Sequence, residues 1–293
     1  MVISDNLRGV IYMNVSMMAF TVNDTFMKAA TQTLPLFQAI TLRGVISIAA
    51  LVIIARAMGT LRLWPARKDR RVIAFRSLAE VGGTVFFLVA LTHMPLANLS
   101  AIMQVLPLAV ALAAAVFLGV PIGWRRLTAI LVGFVGVMII IRPGADSFTI
   151  WSMLGLASVL CVVARDLTTR QLSRDVPSAA VSIWAAVTVT AMGLVGAGIE
   201  GWQAVSGHEA FMVLGAAAFL IVGYLFSVMV MRVGDIGLIA PFRYTALLWA
   251  IMLGWFAFGT LPDNLTLIGA GIVVASGLFT LWRERALRGR AAV

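Results

Sequence analysis

A chain of 293 residues with 61% hydrophobic and only 12% charged side chains, and a mean hydropathy of +1.02, is not a water-soluble domain, in which about a quarter of the residues are charged. Its net charge of +10 comes as short basic clusters between apolar runs, the marking of cytoplasmic loops rather than of a nucleic-acid surface. A single cysteine, Cys161, excludes an internal disulfide, and two histidines without ligand spacing to Cys, Asp or Glu leave nothing to build a zinc site, so neither metal nor cofactor is expected.

A hydrocarbon core of about 30 Å takes about 20 apolar residues per helix, so a chain of this length holds about ten spans with their connectors. The runs fall at about 8–28, 34–56, 71–92, 96–118, 123–142, 148–168, 178–200, 209–231, 236–259 and 264–283. The first follows Asp5 and Arg8 without a basic leader or an A-x-A cleavage site, which predicts that it stays as a helix. Pro35, Pro65, Pro95, Pro121, Pro143, Pro177 and Pro262 punctuate the connectors, where proline favours a helix boundary. The runs are rich in Ala, Leu and Gly and do not alternate as a membrane barrel must. The expected fold is an all-α membrane protein of ten transmembrane helices.

With the N-terminus inside, Arg8, Arg56, Arg62, Arg67, Lys68, Arg70, Arg71, Arg76, Arg125, Arg126, Arg165, Arg170, Arg174, Arg232, Arg283, Arg285, Arg288 and Arg290 fall on one side, 18 of the 22 Lys and Arg residues. Lys28 and Arg142 sit at outer helix ends, and Arg43 and Arg243 within helices. The positive-inside rule then puts both termini in the cytoplasm, with the bacterial inner membrane as the expected location.

Residues 1–143 and 144–293 carry corresponding features at a nearly constant offset. Asp24-x3-Lys28-x6-Pro35 recurs as Asp166-x3-Arg170-x6-Pro177, shifted by 142; Gly82 matches Gly223, Pro121 matches Pro262, and Ala129 with Gly136 matches Ala270 with Gly277, shifted by 141. Five helices per repeat is an odd number, so the second copy enters the membrane from the opposite side. Inverted repeats let one site face either side in turn, by exchanging the conformations of the two halves. Gene duplication alone also leaves a repeat, and some channels have one.

Further residues carry a resemblance. They are Lys28 and Arg43 in the opening helix pair, the stretch Ala90-Leu-Thr-His-Met-Pro-Leu-Ala-Asn-Leu leading into Pro107, Ala240-Pro-Phe-Arg-Tyr-Thr-Ala-Leu-Leu-Trp-Ala, and Leu253-Gly-Trp-Phe-Ala-Phe-Gly. Over nearly its whole length the chain resembles the drug/metabolite transporter superfamily, specifically the ten-helix proteins with paired EamA domains. The resemblance implies a secondary transporter with a central cavity lined mainly by the first, third, fourth, sixth, eighth and ninth spans. It further implies frequent export of amino acids or related metabolites, with bacterial exporters of aromatic and other amino acids as the nearest functional relatives. The family often has an acidic residue after the final Phe-Gly of the ninth span, where this chain has Thr260 after Gly259.

An ionisable group near the bilayer centre costs about 2.5 to 3.5 kcal/mol on insertion scales and needs a partner or a wet cavity. Glu80, mid-way along the third span and followed by Gly82 and Gly83, is the first candidate for a substrate-amine or proton site; the plainer reading is a buried pair with Arg43. Arg243 is a candidate carboxylate receptor through its guanidinium fork, or a side chain that snorkels to the surface. Gln104 falls opposite Arg243 in the repeat and is a candidate polar contact from the other half. Asp24 with Lys28, and Asp166 with Arg170, are four residues apart and are read as helix-end pairs before gates. Asn23 is a better cavity candidate than the pair beside it. His93 is a titratable candidate or an ordinary loop histidine. Tyr224, Tyr244 and Trp249 lie away from the predicted interfaces, unlike Trp64, Trp124, Trp202 and Trp282, and form either a stacking wall or helix packing.

The expected function is secondary export or exchange of amino acids or similar small metabolites, with the bilayer and the solute as partners and protons as a candidate coupling ion. An importer of a vitamin or nucleoside-like metabolite, or a multidrug pump, is the alternative on the same fold. A membrane enzyme lacks a catalytic constellation, a channel lacks a filter-like loop, and no Walker A motif supplies ATP drive. Ten helices in one chain make a monomer sufficient, with no obligate protein partner.

Overall fold

The computed structural model describes residues 4–59, 67–119, 123–142, 149–173, 176–230, 233 and 239–291. Pro65, Pro121, Pro143, Trp64, Arg62, Arg174 and Arg232 lie outside the described residues, as do the side chains of 284–291. Among the described residues the chain is helical and contains no strand: α1 Asp5–Ala30, α2 Leu36–Ala57, α3 Arg67–His93, α4 Leu96–Met103, α5 Leu106–Leu118, α6 Trp124–Ile141, α7 Ile150–Thr169, α8 Ser178–Glu200, α9 Gly207–Val230, a 3-10 turn Ala240–Tyr244, α10 Thr245–Phe258 and α11 Asn264–Ala291. Large apolar side chains such as Phe117, Ile199 and Phe256 are at least three-quarters exposed. An outer surface of that kind suits lipid, not water.

Eight of the helical segments are long and apolar enough to span a bilayer, α4 and α5 counting as one. Asn14, Asn23 and Asp24 dilute the apolar character of α1, and α10 has only 14 residues. Two runs expected as single helices are broken. In 96–118 the break falls at Gln104 and Val105, where the Val105 amide bonds back three residues to Ile102. Pro107 sits in the first turn of α5, where it offers no N–H and its ring crowds the carbonyl four residues back, so a continuous ladder cannot form. Pro241 opens the 3-10 turn that precedes α10 in the same way.

Helix ends recur at a nearly constant spacing along the chain. Pro35 and Pro177 each precede a helix start, before α2 and α8. Among the described residues four glycines have positive φ: Gly59 and Gly201, 142 residues apart, follow α2 and α8, and Gly119 and Gly259, 140 apart, follow α5 and α10. Only glycine takes that left-handed conformation without strain, and it lets the helix release its last carbonyls.

The chain divides into two compact units. The first comprises residues 1–22, 94–156 and 222–293. Its α6 packs along α11: Gly133 meets Leu108 and Ser276, Gly136 meets Gly269 and Val273, and Gly269 meets Ile140. Numbers fall on one helix as they rise on the other, so the two are antiparallel. Ala97, Leu99, Ala101, Ile102, Val105 and Leu108 are almost wholly buried along α4 and α5, and Met13, Val230 and Ile239 form a core cluster with Tyr12, Met17 and Phe242. At one end the Arg142 guanidinium, on a residue with φ of 52°, bonds the Asp263 carboxylate. Asp263 also caps α11, accepting the Thr266 amide at 2.7 Å.

Those bonds hold the Asp263 carboxyl down at about 2, from an ordinary value of 3.8. A depressed carboxylate stabilises the fold above its unfolded value and loses that contribution as pH falls through the folded one. The melting temperature of Asp263→Asn is therefore expected to lie below that of the natural chain at pH 6. The two should converge as pH drops from about 4 to about 2, in fluorescence melts in detergent. A constant gap across that range would remove Asp263 from the account.

The second unit comprises residues 23–93 and 157–221. Here α2 and α8 are antiparallel, with Phe37 against Gly196, Thr41 against Gly193 and Thr190 against Gly44. Glycines at these positions let the helix axes approach, as membrane packing favours. Gln38 closes the end of the pair in both directions, donating to the Gln203 carbonyl at 2.8 Å and accepting the Gln203 amide at 3.0 Å. The bare backbone of Gly82 and Gly83 fits against Cys161 and Val162, and Ser158 donates to the Gly83 carbonyl at 2.9 Å.

Candidate functional site

In the second unit a polar chain crosses from α1 to α2. The Arg43 guanidinium donates to Asn23 Oδ1 at 3.3 Å, and Asn23 Nδ2 donates to Asp24 Oδ1 at 2.9 Å. Asn23 is 3% and Arg43 7% exposed. Burying an amide and two opposite charges inside an apolar span is costly unless each is paired, and the amide here satisfies one charge on each side. The expected Arg43–Glu80 pair does not describe the site, since Arg43 sits with Asn23 and Glu80 has other partners. Nor do Asp24 and Lys28 turn to one another: the Lys28 ammonium donates to the Leu91 carbonyl at 2.6 Å.

Glu80 is bridged by two guanidinia, Arg76 at 3.4 Å and Arg165 at 3.1 Å. Arg165 also reaches Asp166 at 2.9 Å, and Arg76 donates to the Thr169 hydroxyl at 3.0 Å. Asp166, expected to face Arg170, thus joins a network that ties α3 to α7; Arg170 itself is exposed. Asp69 adds a tie of the same kind, accepting the Ser173 amide at 3.1 Å and hydroxyl at 3.0 Å while 3% exposed. Sequence reasoning missed it, and its only signal was a lone acid in the basic run 67–71. Glu80→Gln removes the charge that holds Arg76 and Arg165 together. It is expected to cost about 1 to 3 kcal/mol, the penalty of stranding partly buried hydrogen-bonding groups. The check is the melting temperature, with partial recovery in the double variant Glu80→Gln, Arg165→Gln; no loss in the single variant would make the network incidental.

His93 is exposed and takes Val89 and Thr92 as ring partners at 3.0 and 2.8 Å, the arrangement of an ordinary helix-end histidine.

In the first unit, Gln104 is 6% exposed at the break between α4 and α5. Arg243 lies in the 3-10 turn before α10 and is exposed. Both positions thus lie at breaks in otherwise apolar helical runs, 139 residues apart. Tyr244 is buried, its ring lying where any side chain on Gly277 would stand. Its hydroxyl and the Trp249 indole nitrogen have no hydrogen-bond partner among the described residues. Tyr224 meets Phe20 edge-on at 5.5 Å and stays partly exposed. Trp124, Trp202 and Trp282 are all more than half exposed, fitting a belt role.

Residues 7–142 match the model of the EamA-like transporter family. The chain is 29% identical over 217 residues to a riboflavin transporter of Vibrio cholerae, covering 73% of this chain and 72% of the relative. It is 24% identical over 281 residues to an S-adenosylmethionine uptake transporter of Rickettsia conorii, with 95% and 94% covered. Against the pseudopaline exporter CntI of Pseudomonas aeruginosa it is 23% identical over 271 residues, with 92% and 94% covered. A crystal structure with 18% identity superposes with a TM-score of 0.66 over 93% of this chain and 96% of that one, a likeness of fold. The relatives indicate a transporter rather than an enzyme. The chain carries an EamA-like domain over residues 7–142, and the relatives it resembles along most of its length are named as transporters.

Proposed function

We propose that the protein is a secondary carrier for solutes with an amino-acid head group, from free amino acids, aromatic and other apolar ones first, to larger metabolites such as S-adenosylmethionine. The observation that supports this reading is the Arg43–Asn23–Asp24 chain. It holds a guanidinium and a carboxylate apart by one amide inside an apolar span, which suits the carboxylate and ammonium of a zwitterion. The resemblance to an S-adenosylmethionine uptake transporter over nearly the whole of both chains points the same way. Export or exchange is kept as the direction, with the pseudopaline exporter as a relative.

A second reading is a riboflavin-like solute. It draws on the Vibrio cholerae relative and on Tyr244 and Trp249, two buried donors suited to ring nitrogens and carbonyls. On either reading the halves 1–143 and 144–293 act as inverted repeats that exchange conformations, with both termini in the cytoplasm of a bacterial inner membrane. Asp24 replaces Glu80 as the leading candidate for binding the substrate amine or a proton, because two arginines already occupy Glu80.

The test is flux into proteoliposomes holding the purified protein, with labelled aromatic amino acids, S-adenosylmethionine and riboflavin, with and without a pH gradient. Saturable flux of the head-group solutes, each competing with the others, is expected. Flux of riboflavin alone would replace the first reading with the second.

A further inference from the structure

A lipid-facing groove of about 520 Å³ runs between α6 and α11, within the first unit. Ala129 and Val132 line it from one helix, Ile272, Ala275 and Phe279 from the other. These positions are three or four apart, so they share one face of each helix. Near one end of the groove are Arg125, exposed, and Trp124, 70% exposed, with the guanidinium 5.2 Å from the indole centroid. The antiparallel register set by Gly133 opposite Ser276 brings Arg283 level with Arg126 and puts Trp282 one residue away. By sequence this end carries Arg125, Arg126, Arg283 and Arg285 against the single acid Glu284.

An apolar channel with guanidinia and interfacial tryptophans at one end matches a phospholipid: acyl chain along the channel, phosphate at the arginines. We infer that this groove is a binding site for an anionic phospholipid, with Arg125 as its headgroup contact. The inference does not depend on which solute the protein carries.

The test uses the full-length protein in neutral detergent, titrated with phosphatidylglycerol or phosphatidylethanolamine. Bound lipid is read by native mass spectrometry and stability by melting temperature. Phosphatidylglycerol is expected to bind with preference and to raise the melting temperature. Arg125→Gln should weaken that binding about fivefold, the effect of one basic residue beside anionic headgroups, whereas Lys68→Gln, in another basic cluster, leaves it unchanged. Ala275 is exposed, so Ala275→Trp fills the channel without entering the core and should release the retained lipid. Equal binding of both lipids, the same stabilisation by inorganic phosphate, or an unchanged preference in Arg125→Gln and Ala275→Trp would each overturn the site.

Discussion

Arg43→Gln is expected to lower saturable flux of amino-acid-headed solutes by roughly 10- to 100-fold, the range of about 1.5 to 3 kcal/mol for a hydrogen bond to a charged group. Asp24→Asn should do the same for solutes with a free ammonium. Both groups lie inside an apolar span, Arg43 with 7% exposure, so each single change also strands the opposite charge and lowers the melting temperature. The double variant Arg43→Gln, Asp24→Asn separates the two effects. It leaves a neutral chain of amides, which restores stability, while flux stays low because neither half of the zwitterion has a partner. Restored flux in the double variant would show that the pair is structural. Undiminished riboflavin flux in all three variants would move the carrier to the second reading.

The span pattern was legible because hydrocarbon demands long apolar runs, and most helix limits fall within a few residues of where the runs end. The broken spans were legible only in part. Pro107 and Pro241 were visible, yet proline inside an apolar run kinks or breaks a helix according to whether neighbouring groups take up the freed carbonyl. Side-chain partners were least legible. Spacing places Asp24 and Lys28 on one face of α1, but the flexible stem of Lys28 carries its ammonium to a carbonyl at the end of α3. Glu80 was matched to Arg43 by depth alone. Which face of each helix meets which neighbour decides the pairing, and that depends on the packing of α3 against α7, which brings Arg165 to Glu80; Arg76, one turn before Glu80 on α3 itself, is a pair that spacing alone allows. Asn23 was singled out for its place beside Asp24, whereas its role as the link between two charges needed the position of α2.

Gly136→Ala and Gly271→Ala make the same chemical change on the two helices of one packed pair, and opposite results are expected. A β-carbon on Gly136 would stand 2.8 Å from the Gly269 carbonyl oxygen, and one on Gly269 would stand 2.6 Å from that of Gly136. The obstruction is backbone on both sides and cannot rotate away, so α6 and α11 must separate along the seam that buries Val137, Ile141, Ala270 and Val273. Overpacking of this kind costs about 1 to 3 kcal/mol, which lowers the melting temperature by roughly 2 to 10 °C in a protein of this size. Gly271, two residues from Gly269, has nothing within 4 Å of its would-be β-carbon. There alanine should be neutral or raise the melting temperature slightly through its higher helix propensity. If both variants melt alike, the close approach of the two backbones is not what holds this helix pair. If only Gly136→Ala falls, the small residues at the crossing act through contact, which is how helices associate where lipid removes the hydrophobic drive between them.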